Sequence, residues 1–382
     1  MKRNDLYSIL HTILLLAICI VTFFLNNRTI FFGKESYEVV MTHRLIAAAS
    51  ATIFIFFSYL LGKEISRRED FAWIAALLLC TGYRFILFGR IPSEALCCHA
   101  AMAGALFFIF CTFKEHQGTY LSAILGGLCL GLSYLCSQWL SFSLLLLPFG
   151  IIFILFYQPI EWRRWRQILI ILVIALMLYC VPYLHLDVMN NEPYRYMFGK
   201  RCLLWTTANH HPWYFYTPLL WNMGVWTLLF FTSLILPFWI KQLKDKQIYL
   251  SSFVWLLLQF ILISAAPQKD LNYLLPLMLP TAYMMSCIVV HWKDSLGHRS
   301  HRLTEKLFSV NSYTLSAICL ILPIIGYWLV YRAGYMIFDR YLLLSIYTFI
   351  ISGCLFIASW KRAPYFIIYS LAVLLCIGEV MM

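Results

Sequence analysis

Three short stretches hold nearly all the side chains whose types and spacing could do chemistry. In Arg90-Ile91-Pro92-Ser93-Glu94 a tight turn leads into an apolar segment. Pro92 suits the first turn of a helix, Ser93 can cap it, and Glu94 then lies where the helix dipole favours a carboxylate. The plainer reading is a helix-start acid with an arginine nearby. In the second stretch, 266–280, Lys269 stands on a very short hairpin between two apolar segments, and Pro276 and Pro280 prevent fully regular first turns in the helix that follows. A cation at headgroup level can hold a phosphate as a point charge; the alternative is a snorkelling lysine paired with Asp270. The third stretch contains Tyr194, Arg195, Lys200 and Arg201, then Asn209-His210-His211-Pro212-Trp213-Tyr214-Phe215-Tyr216. Sugars stack on Trp and Tyr while Arg pairs with phosphate, so these residues suit a carbohydrate and phosphate site, or else an aromatic belt anchoring the next helix.

Metal chemistry has little support. Adjacent histidines diverge and no third ligand is near. The chain lacks a Walker loop, GxGxxG, HExxH and a nucleophile elbow, so no cofactor is expected and a divalent metal is unsupported. The 13 cysteines include no CxxC pair and most fall inside apolar segments, where a free thiol packs as a small hydrophobe. Cys97 and Cys98 are neighbours and point to different helix faces. Arg84 and His99 are expected to snorkel or pair near helix ends, and His298 and His301 to join a lipid-facing basic patch.

The elements that must position these residues are membrane helices. Of 382 residues, 62% are hydrophobic and 12% charged, against roughly 45–50% and 25% in soluble domains, and the mean hydropathy is +0.78. An ordinary soluble enzyme and a disordered chain are both excluded. Apolar runs of about 20 residues, the length that spans a bilayer, number about thirteen. They cover 6–25, 43–61, 71–88, 95–113, 120–136, 140–157, 168–184, 214–240, 248–266, 272–292, 309–331, 341–360 and 365–382. With the N-terminus cytoplasmic, alternate loops collect about 18 of the 29 Lys and Arg residues on one side. The formal charge of +12 is thus chiefly a topology signal with an anionic leaflet as its partner, and nucleic acid is not expected. The expectation is an all-α, polytopic, multi-pass protein of the plasma membrane, residues 1–382 forming one integral domain without a soluble one. The first segment follows a short basic start but lacks a small-residue cleavage site before Asn26, and is read as a membrane helix.

The same residues carry a family resemblance. His211 to Tyr216 through Gly224-Val225-Trp226, then Ser264 to Lys269 and Tyr273-Leu274-Leu275-Pro276-Leu277, resemble the membrane half of the glycosyltransferase C superfamily. Within it the similarity is to bacterial aminoarabinose-transferase and protein O-mannosyltransferase-like proteins. Arg44-Leu45 through Leu60-Leu61-Gly62, the Arg90–Glu94 loop and Gly126 to Ser137 follow in the same order, so the resemblance runs from about His43 to Trp292.

What the resemblance implies is transfer of a sugar from a polyprenyl-phosphate carrier to a lipid, glycan or protein acceptor at the periplasmic or exterior face. It implies Glu94 as the exterior-loop acid, Lys269, Arg201 and Arg90 as holders of the donor phosphate, and His211, Trp213, Tyr216 and Tyr273 as substrate contacts. The chain departs from the family in the loop after the first helix, 26–38, which has no Asp where an acidic pair is usual. Glu35 or Glu38 takes that catalytic role, or the chain extends upstream, or the protein is a degenerate relative that binds lipid-linked sugar or supports a partner enzyme. A transporter or flippase is disfavoured, because mid-span segments carry almost no ionisable residues and no inverted repeat is evident.

Overall fold

The structure, a computed structural model, describes residues 3–24, 37–90, 94–113, 120–137, 141–157, 165–184, 212–217, 223–266, 269–296, 302–334 and 337–381. Among them there is no strand. The elements are α1 (Arg3–Phe23), α2 (Tyr37–Ser66), α3 (Glu69–Cys80), α4 (Tyr83–Arg90), α5 (Glu94–Phe113), α6 (Tyr120–Ser137) and α7 (Leu147–Phe156), the last entered through a π-helical turn, Phe142–Leu146. Then come α8 (Trp165–Leu184), α9 (Thr227–Ser233), α10 (Leu236–Gln242), α11 (Lys246–Ala265), α12 (Met278–Ser295), α13 (Arg302–Gly326), α14 (Phe338–Trp360) and α15 (Pro364–Met381). Helices are what such apolar sequence must form, because lipid offers no partner to an open backbone N–H or C=O.

The chain is a multi-pass membrane protein. Among the described residues six helices are long and apolar enough to cross a membrane, or up to eight if each of two bent pairs is one span. Five shorter apolar helices of the described residues occupy the remaining expected segments; by length and composition the described residues support six to eight crossings, and the expected count of thirteen is not confirmed.

Two expected segments are broken. The segment 71–88 turns by 60° between α3 and α4. Thr81 caps α3 by donating its hydroxyl to the Leu77 carbonyl at 2.7 Å, and that hydroxyl accepts the Trp226 indole N–H at 3.0 Å. The segment 214–240 bends by 73° between α9 and α10, where Pro237 in the first turn of α10 has no N–H for a continuous helix. A third irregularity, the π-turn at the start of α7, leaves the Leu144 carbonyl to the Gln259 amide of α11, 2.7 Å away.

At the centre, α3 and α12 are enclosed on nearly every face. They pack on each other, α3 also on α2 and α12 also on α9, α11 and α15. Tyr283 of α12 donates its phenol to the Ser58 carbonyl of α2 at 2.6 Å, and a Cβ at Gly62 would meet the Tyr283 ring at 3.2 Å. From α2 the packing runs outward through α5 and α6 to α8, whose Leu172, Leu176 and Met177 face outward as lipid-exposed residues do.

Close approach in that outer layer rests on glycine. Gly127 and Gly131 of α6 are four residues apart, and added Cβ atoms would lie 2.9 Å from the Ile171 carbonyl oxygen and 2.6 Å from the Leu178 side chain of α8. Helix association in lipid depends on such contact, since no hydrophobic drive separates tails from leucine. Gly127→Val is therefore expected to push α8 away and cost about 1–3 kcal/mol, read as a lowered melting midpoint in detergent. Gly150→Ala, in α7 with nothing within 4 Å of the added atom, should leave it unchanged.

One end of the bundle is held by charge. Arg68, in the turn between α2 and α3, makes a two-pronged pair with Asp70 at 2.9 and 3.1 Å and a second with Asp294 at the end of α12 at 2.9 and 3.4 Å. Asp245 before α11 lies 3.9 Å away, Lys293 reaches Asp70 at 3.2 Å, and the Tyr365 phenol of α15 donates to Asp70 at 2.9 Å. Arg362 pairs with Glu305 at the same end. Among the described residues, the turns that carry Arg68 and Asp245 and the ends of α12 and α15 thus meet at one end of the bundle.

Candidate functional site

At the opposite end, two irregular segments meet. Pro212, with φ −62°, presets a 3₁₀ turn over Trp213–Tyr216, and the Thr217 hydroxyl donates to the Tyr214 carbonyl to close it. Asp270 opens a second 3₁₀ turn, Leu271–Leu274, its carboxylate accepting the Asn272 backbone N–H at 3.0 Å and the Asn272 amide at 3.3 Å. The two turns are joined where the Asp270 backbone N–H donates to the Tyr216 phenol at 3.1 Å. Pro276 and Pro280 delay the regular helix to Met278, as their positions require.

Lys269 sits between these turns and is only 7% exposed. Its ammonium donates to the Ser264 carbonyl at the end of α11, 2.7 Å away, and lies 5.9 Å from the centre of the Tyr216 ring. Asp270, the partner the plainer sequence reading assigned to it, turns its carboxylate to Asn272 instead. Among the described residues no carboxylate is within ion-pair distance of Lys269. Burial lowers its pKa from the ordinary lysine value and raises that of the Tyr216 phenol. A buried cation held by one carbonyl and a ring face is chemically suited to receive an anion.

A third turn packs on the break between α3 and α4. Gly224 adopts φ +61°, and a Cβ there would stand 3.0 Å from the Cβ of Tyr83. The Gly224–Trp226 turn thereby seats against the break between α3 and α4, with Trp226 bonded to Thr81 as described. Tyr273 is buried within the second turn, at 1% exposed.

The other expected site residues fall in different places. Arg90, at the end of α4, donates through two guanidinium nitrogens to the Thr22 carbonyl in the last turn of α1 at 2.8 and 3.1 Å; it caps a helix end as well as standing near the loop to Glu94. Glu94 begins α5 and Glu38 lies in the first turn of α2, not in a loop. The side chains of Glu38, Glu94 and Trp213, and all of Glu35, Arg201 and His211, lie outside the described residues, as do His298 and His301. Lys269 and Tyr216 are brought together, and Tyr273 lies in the adjoining turn. His99 pairs rather than snorkels: it is fully buried, its Nδ1 2.6 Å from the Ser141 hydroxyl. Among the described residues no three metal-ligating side chains converge.

Sequence reasoning missed the contact of Ser264 with Lys269 and of Tyr216 with Asp270. The signal for the first was available, because Ser264 opens the stretch that carries the resemblance; the second joins residues 54 apart, which no local spacing reveals.

Known proteins resemble the chain in sequence and in fold. No family model matches the chain. It is 27% identical over 293 residues, 71% of its length and 48% of the relative's, to undecaprenyl phosphate-alpha-4-amino-4-deoxy-L-arabinose arabinosyl transferase 1 of Pseudomonas fluorescens. It is 26% identical over 284 residues, 68% of its length and 47% of the relative's, to the corresponding transferase of Pseudomonas aeruginosa. The chain spans about half the length of these curated relatives. The crystal structure of ArnT from Cupriavidus metallidurans bound to undecaprenyl phosphate superposes with a TM-score of 0.66 at 14% identity, covering 98% of this chain and 76% of that one. The apo structure of the same protein also gives 0.66. The chain is thus similar in sequence to aminoarabinose transferases and has the fold of ArnT from Cupriavidus metallidurans.

Proposed function

We propose that this chain is a membrane glycosyltransferase that moves a sugar from a polyprenyl-phosphate carrier to an acceptor at the exterior face. The observation that carries the reading is Lys269, a buried ammonium with no described carboxylate partner, set over Tyr216 at the end of the bundle away from the Arg68 cluster. An anion must offset the desolvation of that charge, and a carrier phosphate entering from lipid supplies one. The named substrates of the relatives support this class of donor.

The chemistry follows from the residues. An acceptor hydroxyl oxygen attacks the anomeric carbon while the bond from that carbon to the phosphate oxygen breaks. The hydroxyl proton passes to Glu94, and the electron pair leaves on polyprenyl phosphate, whose growing negative charge Lys269 stabilises. Arg201 assists at the phosphate, with Arg90 holding the loop that leads to Glu94. His211, Trp213, Tyr216 and Tyr273 bound the sugar, and Glu35 or Glu38 stands in for the absent Asp pair. The N-terminus lies in the cytoplasm and the Lys269 end faces the periplasm or exterior, the orientation that puts most basic loops inside.

The test is transfer from a labelled polyprenyl-phosphate sugar in reconstituted vesicles. Glu94→Gln should lower turnover by about 100-fold or more, the scale of general-base loss, with donor binding retained. Full turnover in that variant would remove Glu94 from the mechanism. A second reading rests on the 26–38 loop without Asp: a relative that binds the carrier without turnover. Donor binding with no transfer to any acceptor offered would select it.

A further inference from the structure

We propose that Cys97 and Cys136 form a disulfide that links the first turn of α5 to the last turn of α6. Eleven cysteines are free among the described residues, and two pairs bring sulfur near sulfur: Cys97 and Cys136 at 3.6 Å, Cys19 and Cys80 at 4.0 Å. Packing accounts for the second pair, since both thiols are sealed at 1% and 0% exposed. The first pair differs in access. Cys97 is partly open and Cys136 is 5% exposed, the arrangement of an attacking thiol and a resolving one.

The local structure favours closure and limits scrambling. α5 and α6 pack directly against each other, and the 3.6 Å between the sulfurs has to close to the roughly 2.05 Å of a disulfide. Cys98, the neighbour that could compete, points elsewhere: its thiol donates to the Ser133 carbonyl at 3.3 Å and touches the Ser141 hydroxyl. Both cysteines lie at the end of the bundle away from the Arg68 cluster. That this end meets an oxidising compartment rests on the orientation adopted in the proposed function; the pairing itself rests on geometry alone.

The step is thiol–disulfide exchange with a disulfide donor, either an oxidised dithiol oxidoreductase or a small-molecule disulfide. The Cys97 thiolate attacks one sulfur of the donor, forming a mixed disulfide and releasing the donor's first thiolate. The Cys136 thiolate then attacks the Cys97 sulfur, forming the bond between the helices and releasing the second. The pair loses two electrons and two protons, and the donor leaves as a dithiol if it is an oxidoreductase or as two thiols if it is a small-molecule disulfide. Glu94 lies three residues before Cys97, one turn away on α5, so the bond ties the turn that carries it.

The experiment uses the full chain and oxidised glutathione. Purified protein is treated, remaining thiols are alkylated, and peptides are mapped by mass spectrometry with and without reductant. The expected result is a peptide pair joined through Cys97 and Cys136, lighter than the sum of its thiol forms by two hydrogens and lost on reduction. Cys19 and Cys80 should remain alkylatable once the protein is denatured. Cys136→Ser should trap Cys97 as the glutathione adduct, whereas Cys97→Ser should trap none at Cys136. Complete alkylation of Cys97 and Cys136 after treatment would overturn the proposal, as would bonding of Cys97 to Cys98. Repeating the treatment on intact spheroplasts with the same membrane-impermeant reagent separates the two readings. A bond that forms in purified protein but not there keeps the pair and overturns the outward placement.

Discussion

Lys269→Met is expected to weaken donor binding about 10–100-fold, the value of a hydrogen bond to a charged group, and to lower the rate of transfer by a further factor of about 100. The second loss arises because the departing phosphate carries more charge in the transition state than in the bound donor. A structural lysine makes the contrary prediction, and stability decides between them. Methionine fills a similar volume and removes a buried ammonium, so the melting midpoint of the variant should hold or rise. If the ammonium mattered only for its bond to the Ser264 carbonyl, the variant would melt earlier. The pH dependence has opposite signs for the two properties. Because the folded pKa lies below the ordinary 10.5, the unfolded chain binds the proton more tightly. The burial cost is then present below the folded value and fades as pH rises through the window up to 10.5, where stability climbs. Phosphate binding needs the ammonium and falls across the same window. Lys269→Arg should retain part of the binding and lose that alkaline limb, since guanidinium stays charged but is broader than an ammonium. Titration of carrier affinity from neutral to alkaline pH, set beside melting curves of all three proteins, checks each sign.

The sequence made the helical class and half of the site legible, for reasons visible in particular residues. Twenty-residue apolar runs have one backbone solution in lipid, so the class follows from hydropathy alone. Lys269 was conspicuous because charge is rare in this chain, and Pro276 and Pro280 announced an irregular entry to α12. Spacing within one segment could not show which way helices turn towards each other. Arg68 and Asp294 are 226 residues apart and Cys97 and Cys136 are 39 apart; each contact depends on helix rotations set by close approaches such as Gly62 on Ala72. The bend at Thr81 was hidden in an unbroken apolar run, because Thr81-Gly82 is tolerated inside a membrane helix. Its stabilising partner, Trp226, comes from a turn 145 residues later. Whether Asp270 pairs with Lys269 was a local question, yet it too needed the conformation: an Asp before a turn caps it when the backbone is extended there, as the φ of −139° at Asp270 allows.

At the other end of the bundle, Arg68→Ala should destabilise the fold more than loss of any single surface ion pair. The guanidinium lies between Asp70 and Asp294, with each carboxylate taking two of its N–H groups. Those hydrogen bonds, Asp70 first and then Asp294, hold the Arg68 pKa far above its ordinary value, so the cation is present at every pH at which membranes are handled. The side chains involved are only about a third to a quarter exposed, which places the pair between a surface bridge of about 0–1 kcal/mol and a buried one of about 3–5 kcal/mol. The expected cost is about 1–3 kcal/mol. Part of it is repulsion, because the two carboxylates lose the cation between them and Asp70 alone keeps Lys293 at 3.2 Å. Acidification should therefore narrow the gap in melting midpoint between variant and parent as pH falls towards about 4, where free carboxylates take up protons. Arg68→Lys should restore less than half of the loss, since an ammonium cannot engage two carboxylates in two-pronged geometry at once. Equal midpoints for Arg68→Ala and the parent at neutral pH would show that α2, α3 and α12 are joined by their apolar faces alone. A gap that persists unchanged at acid pH would show that the cost lies in lost side-chain packing rather than in charge.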